Sequence, residues 1–98
     1  MKIYLKKFGT TLISRQSGRE ALAAFQPTLR KPAKKELIEV DFEGVDTFSP
    51  SWGDEFLRPL HEEFGKQLVL IESNNPSIVL TIQILEETNK IKFTTRKR

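Results

Sequence analysis

Two short apolar runs near the start of the chain predict β-strands. They are IYL at residues 3–5 and TLI at residues 11–13. From Ser14 the apolar positions change to helical spacing, which predicts a helix that Ser14 caps and Pro27 ends. The basic, proline-containing stretch at 28–36 then predicts an exposed loop.

The middle of the chain predicts a buried strand followed by an amphipathic helix. The run ELIEVDF at 36–42 has the mixed apolar pattern of a strand buried on both faces. The helix is predicted to start at Ser49 or Ser51 and to end at Phe64, before Gly65. Its apolar stripe repeats every four residues and consists of Trp52, Phe56, Leu60 and Phe64.

The last third predicts another buried strand at 67–73 and, at 91–95, a late strand or an ordered tail. Between them, residues 77–88 fit two interpretations. Their alternating β-branched residues suit a strand, whereas Asn75 followed by Pro76 is a typical helix start and favours a helix. Strands that alternate with helices in this way predict an α/β fold. We expect a mixed, mostly parallel sheet with about three helices and right-handed crossovers.

The composition fits one domain over residues 1–98, with a basic tail at 90–98. The net charge of +3 hides strong segregation. Residues 1–35 contain nine basic residues and one acidic residue. Residues 36–89 contain two basic and twelve acidic residues, and the tail contains five basic residues and no acidic residue. A uniformly basic nucleic-acid binder would not carry an acidic centre, so nucleic acid is not the expected partner.

Several classes of protein are disfavoured by what the sequence lacks. It contains no cysteine, no apolar run near the roughly 20 residues of a membrane helix, and no signal-peptide pattern at its start. It also has no phosphate-cradling glycine loop and no familiar catalytic motif. We therefore expect a cytoplasmic protein without a membrane span, a cofactor, a metal or an enzymatic activity.

The stretch DTFSPSWGDE at 46–55 is the candidate functional segment. Ser49 before Pro50 fits an N-cap with proline at the first helical position. Ser51 with Asp54 three residues on fits a rival capping arrangement. One serine is then left over for chemistry, because the free N–H groups of a helix start tolerate a phosphate on a first-turn serine.

Three pieces of the sequence resemble STAS domains, typified by bacterial anti-sigma-factor antagonists. They are DFEGVDTFSPSWGDE at 41–55, LISR at 12–15 and ESNNP at 72–76, and the resemblance spans about residues 8–87. The match is closer to divergent STAS-like domains of uncharacterised function. The DFEGV segment is the specific part, whereas LISR and NNP alone are weak.

The resemblance implies a non-enzymatic signalling module. In the antagonists, a partner kinase of the histidine-kinase-like ATPase superfamily phosphorylates a serine at the start of the second helix. That serine falls on Ser51 here, with Ser49 as the second candidate. The family's acidic residue and glycine around it are replaced by Ser49 and Trp52, which weakens the inference and alters any docking face.

The predicted partner-binding residues follow from this placement. Trp52, Asp54, Glu55 and Arg58 would form the docking face, although Trp52 fits a core position equally well. Arg15 and Arg19 are either solvated or in contact with an acidic partner or the chain's own acidic segment.

Two other functions stay open as alternatives. One is a nucleic-acid-associated regulator that uses the basic N-terminal third, including Arg15 and Arg19, and the tail. The other is a metal-assisted enzyme that holds magnesium with the carboxylates of residues 41–55.

Overall fold

The computed structural model describes residues 1–29 and 35–98. Within them, the helices are α1 (Arg15–Leu29), α2 (Pro50–Phe64) and α3 (Pro76–Asn89). The strands are β1 (Lys2–Tyr4), β2 (Thr11–Leu12), β3 (Ile38–Asp41), β4 (Thr47–Phe48), β5 (Leu68–Ile71) and β6 (Thr94–Arg96). Short 3₁₀ turns follow β1 and α2, at Leu5–Phe8 and Gly65–Gln67.

The main sheet has the strand order β1-β3-β5-β6, and β2 pairs with β4 in a small second sheet. Every strand pair in the described residues is parallel. Because right-handed crossovers that all step in the same direction place their helices on the same side, α1, α2 and α3 pack on one face of the main sheet. The predicted α/β fold with a mostly parallel sheet and three helices is confirmed.

The strand register separates the two faces of the main sheet. The face that packs on the helices, the helix face, presents Ile3, Ile38, Val40, Leu68, Leu70 and Thr95. The opposite face, the open face, presents Lys2, Tyr4, Glu39, Asp41, Val69, Ile71, Thr94 and Arg96. The apolar side chains of the helix face join the main hydrophobic core, whereas Val69 and Ile71 are buried outside it.

Polar side chains fix the start of each helix, as the sequence predicts. The hydroxyl of Ser14 accepts a hydrogen bond from the backbone N–H of Ser17 at 3.0 Å. The side chain of Asn75 accepts one from the N–H of Ser77 at 2.9 Å, and its amide group donates to the carbonyls of Val45 and Asp46. Asn75 therefore caps α3, and the helix interpretation of residues 77–88 is confirmed.

Several element boundaries differ from the prediction, among them the last strand, which is Thr94–Arg96 instead of 91–95. The helix α1 runs through Pro27 to Leu29, because a proline near the end of a helix removes only one hydrogen bond and Leu29 gains a buried position. The rest of the predicted basic loop falls partly outside the described residues. The strand β3 covers Ile38–Asp41 and is shorter than the predicted 36–42, but its predicted burial on both faces is largely confirmed, because Val40 and Asp41 point to opposite faces and are both buried.

A close contact between α1 and α2 positions the candidate site. A Cβ atom on Gly18 would lie 2.6 Å from the backbone carbonyl oxygen of Trp52, so only glycine fits at this crossing. The approach brings Arg15 and Arg19 of α1 beside the first turns of α2.

None of the helices in the described part of the chain combines the length and the apolar content that crossing a membrane requires.

Candidate interaction site at the start of the second helix

Ser49 is the cap of α2. Its hydroxyl accepts a hydrogen bond from the backbone N–H of Trp52 at 3.3 Å and donates one to the carbonyl of Ile13 at 2.7 Å. Pro50 occupies the first helical position, as predicted. The hydroxyl of Ser49 is therefore engaged twice, and it ties the helix start to the segment that follows β2.

Ser51 is half-buried and lies in the wall of a cleft between α2 and α3. The cleft has a volume of about 470 Å³. It is lined by Arg15, Pro50, Ser51, Asp54, Arg58, Glu62, Ile84, Leu85, Thr88 and Asn89. Four of the residues that the sequence singles out, Ser51, Asp54, Arg58 and Arg15, thus share one cavity, which we call the α2 cleft.

An ion-pair network crosses the α2 cleft. Asp54 contacts Arg15 at 2.9 Å and Arg58 at 3.1 Å, and Arg58 also contacts Glu62 at 2.7 Å. Both arginines pair with the same carboxylate, and all three charged groups line the cleft that also contains Ser51.

Glu55 extends this network outside the cleft. Its carboxylate contacts Arg19 at 3.2 Å and Arg15 at 3.7 Å. Of the two interpretations of Arg15 and Arg19, contact with the chain's own acidic segment is the one observed. Both arginines nevertheless remain at least half exposed, so they are still accessible to a partner.

The surroundings of Asp54 keep it ionised. Partial burial alone would raise the pKa of Asp54, but the hydrogen bond from Arg15, the charge of Arg58 and a hydrogen bond from Asn89 outweigh it and lower the pKa. The hydrogen bond to Asp54 raises the pKa of Arg15. The hydrogen bond to Glu62, followed by the charge of Asp54, raises the pKa of Arg58. The cleft therefore holds a fixed carboxylate between two guanidinium groups at neutral pH.

Trp52 does not contribute to the surface. Its side chain is fully buried, stacks on Phe56 with ring centroids 4.9 Å apart, and donates from Nε1 to the hydroxyl of Ser17 at 3.3 Å. This corrects the expectation that Trp52 lies at the centre of a docking face. The four-residue repeat with Phe56 and Leu60 was the signal for a core position.

A second cluster, on the open face, was missed by sequence reasoning. Asp41 is buried, and its Oδ1 accepts hydrogen bonds from Arg98 and from the backbone N–H of Glu43. Lys2 lies 3.8 Å from Oδ2, which has no hydrogen-bond partner in the part of the chain that the structure describes. Burial alone would raise the pKa of Asp41, but the bond from Arg98, the Glu43 N–H and the nearby positive charges lower it.

The basic tail completes that second cluster. Arg96 forms an ion pair with Glu39, and Arg98 contacts Glu43 at 3.2 Å in addition to Asp41. The tail and the acidic centre of the sequence are therefore brought together by folding. Charge segregation along the chain was the available signal, but it did not show which residues pair.

The carboxylates of residues 41–55 do not converge. Asp41 belongs to the open-face cluster, whereas Asp54 and Glu55 belong to the network at α2. Within residues 1–29 and 35–98, no group of three or more acidic or histidine side chains could hold a metal ion. The magnesium alternative thus lacks a ligand set in the described residues.

Comparison with known proteins gives one match. A family model described as a STAS-like domain of unknown function (DUF4325) matches residues 24–78, more than half of the chain. A search of curated proteins and a search of solved structures each found no match. The matched region contains β3, the start of α2 and the cap of α3, which position the α2 cleft. This chain belongs to the family of STAS-like domains of unknown function.

Proposed function

We propose that this chain is a non-enzymatic, cytoplasmic docking module whose α2 cleft binds a regulatory protein, and that phosphorylation of Ser51 switches the binding. The observation that carries the proposal is the division of labour between two serines. Ser49 is used for capping, whereas Ser51 remains beside two arginines in the wall of a cleft.

Part of the local electrostatics favours a phosphate at Ser51, whereas Asp54 and Glu62 in the same cleft oppose it. Ser51 sits in the first turn of α2, where free N–H groups and the positive end of the helix dipole stabilise negative charge. Arg15 and Arg58 line the same cleft and pair readily with phosphate oxygens.

The same phosphate would reorganise the cleft. Asp54 already holds Arg15 and Arg58, so a phosphate on Ser51 competes with Asp54 for both guanidinium groups and repels its carboxylate. A partner that recognises the unmodified arrangement of charges would then lose its binding surface. This competition is the switching mechanism that we propose.

The partner surface combines charge and exposed apolar area. Asp54, Glu55 and Arg58 supply charged groups around the α2 cleft. On α3, Leu80 is 57% exposed and lies one turn before Ile84, which lines the cleft. The family resemblance points to a histidine-kinase-like ATPase as the class of partner.

The direct test is peptide mapping of the protein from its native host, followed by phosphorylation in vitro with a histidine-kinase-like ATPase from the same organism. We expect phosphate on Ser51, none in a Ser51→Ala variant, and about tenfold weaker partner binding after modification. The matched control is Ser49→Ala, which should lower the free energy of unfolding by about 1 kcal/mol and leave phosphorylation intact. Phosphate confined to Ser49, or unchanged binding by the modified protein, would refute the switch.

A further inference from the structure

The strand β6 forms one edge of the main sheet. Among residues 1–29 and 35–98 its only strand partner is β5, and all three of its residues are exposed. An edge strand of a sheet presents unpaired backbone N–H and C=O groups on its outer side. This edge is therefore able to accept another strand.

An apolar groove lies beside this edge, between α3 and the ends of β5 and β6. It has a volume of about 290 Å³. Its walls include Phe42, Ile71, Ile78, Val79, Ile82 and Thr95. Val79 is 40% exposed at its rim, so apolar surface is open to solvent next to unpaired backbone groups.

The segment that contains β6 is basic, whereas acidic charge beside it comes from other elements: Glu72 lines the groove, and Glu39 pairs with Arg96. Residues 88–98 contain five basic residues and no acidic residue. Lys92 and Lys97 flank the strand, are exposed, and make no ion pair with any residue that the structure describes. Two copies of the chain pairing edge to edge through β6 would bring these like charges together, which disfavours self-association.

We propose that this edge and groove bind an extended, acidic segment of a partner protein. The segment adds to the sheet as a strand next to β6, with main-chain hydrogen bonds supplying affinity. Alternate side chains of the added strand lie on the same face of the sheet as Thr95. Because Thr95 lines the groove, one apolar side chain of the segment enters it. Acidic residues at its ends meet Lys92 and Lys97.

This site is separate from the α2 cleft and does not depend on the function proposed there. Val79 and Ile82 lie on the side of α3 that faces the groove, whereas Ile84 and, one turn earlier, Leu80 lie on the side that faces the α2 cleft. The two surfaces flank a single helix, so matched substitutions on α3 distinguish them.

The probes for this test are synthetic peptides of about ten residues with a fluorescent label. The first has alternating valine at its centre and glutamate at both ends. The second has lysine in place of glutamate, and the third has proline at the centre, which removes a main-chain donor. Binding is followed by fluorescence anisotropy at about 50 mM and about 300 mM sodium chloride.

We expect only the first peptide to bind, with an affinity that falls several-fold at the higher salt concentration. Val79→Glu should weaken binding about tenfold, because it places a carboxylate at the groove. The matched control, Leu80→Glu, lies about 100° around α3 from Val79, toward the α2 cleft, and should leave peptide binding unchanged. Amide hydrogen exchange of residues 94–97 should slow when the peptide binds, which a purely electrostatic contact would not produce.

Four results would overturn the proposal. In the first two, the lysine peptide or the proline peptide binds as tightly as the glutamate peptide. In the third, Val79→Glu and Leu80→Glu weaken peptide binding equally. In the fourth, no peptide binds at the lower salt concentration. Sedimentation of the protein alone supplies a further check. A dimer that Val79→Glu dissociates would assign the groove to a second copy of the chain instead.

Discussion

The two faces of the main sheet bury apolar residues by different physical means. On the helix face, Val40 and Leu70 lie in a continuous core with α2 and its aromatic side chains. On the open face, Val69 is just as inaccessible, yet its surroundings include the Arg96–Glu39 pair. Arg96 sits on β6 and Glu39 on β3, so this ion pair spans β5, the strand between them.

The difference shows that low exposure alone does not identify a core. The stem of a long charged side chain covers apolar surface while its head stays hydrated or paired. Charged side chains that shield apolar residues in this way are flexible, and their ion pairs depend on pH and salt. A packed core is dense and has little room to relax. The two faces should therefore respond differently to the same substitution and to the same change in solvent.

The largest expected effect comes from a matched pair of valine substitutions. Val40→Ala should lower the free energy of unfolding by about 2–3 kcal/mol, because a rigid core retains the cavity. Val69→Ala should cost only about 1 kcal/mol, because the arginine stems can settle into the space. Urea denaturation of both variants measures the difference. Equal costs would show that the open face is packed as rigidly as the core.

Acid should weaken the open face through Asp41. Its folded pKa is lowered, so its stabilising contribution is complete above the ordinary carboxyl pKa of about 3.9 and is lost as the pH falls through the folded value. Asp41→Asn should lower stability at neutral pH by about 1–2 kcal/mol and flatten the acid limb of a stability–pH profile. Asp54→Asn is the control. It removes the carboxylate of the α2 cleft, whose pKa is also lowered, and leaves Asp41 in place. An acid limb unchanged by Asp41→Asn would contradict this assignment.

The smallest effect should come from the charge of Arg96. Arg96→Met keeps most of the stem and removes the ion pair with Glu39, so we expect a loss below about 1 kcal/mol and a weaker dependence of stability on sodium chloride. Arg96→Ala removes the stem as well and should cost more. Thermal unfolding at several salt concentrations compares the three proteins. If methionine and alanine cost the same stability, the stem of Arg96 does not cover the apolar surface around Val69.

Local chemistry made much of this fold predictable. The cap residues Ser14, Ser49 and Asn75 mark helix starts because each supplies an acceptor within three residues of its donor. The same capping rule predicted that one of Ser49 and Ser51 caps α2 and the other does not, but it did not identify Ser49 as the cap. The end of α1 was misplaced, because burial of Leu29 outweighed the local signal of Pro27.

The open-face cluster could not be predicted, because its partners are distant in sequence. Arg98 and Asp41 are 57 residues apart, and no local pattern links them. The position of Trp52 was undecided for a related reason. A tryptophan at a helix start suits a core and a surface anchor equally, and only the approach of α1 at Gly18 settles it.

The strand order β1-β3-β5-β6 has a consequence for how the chain is made. Each strand of the main sheet after β1 pairs with a strand that precedes it in the sequence, so every new strand adds to an edge that the ribosome has already released. The sheet can therefore grow in step with synthesis, without waiting for a later segment to be inserted between earlier ones. The strand β6 is synthesised last, and its Arg96 then forms the ion pair with Glu39 on the open face of strands that have already paired.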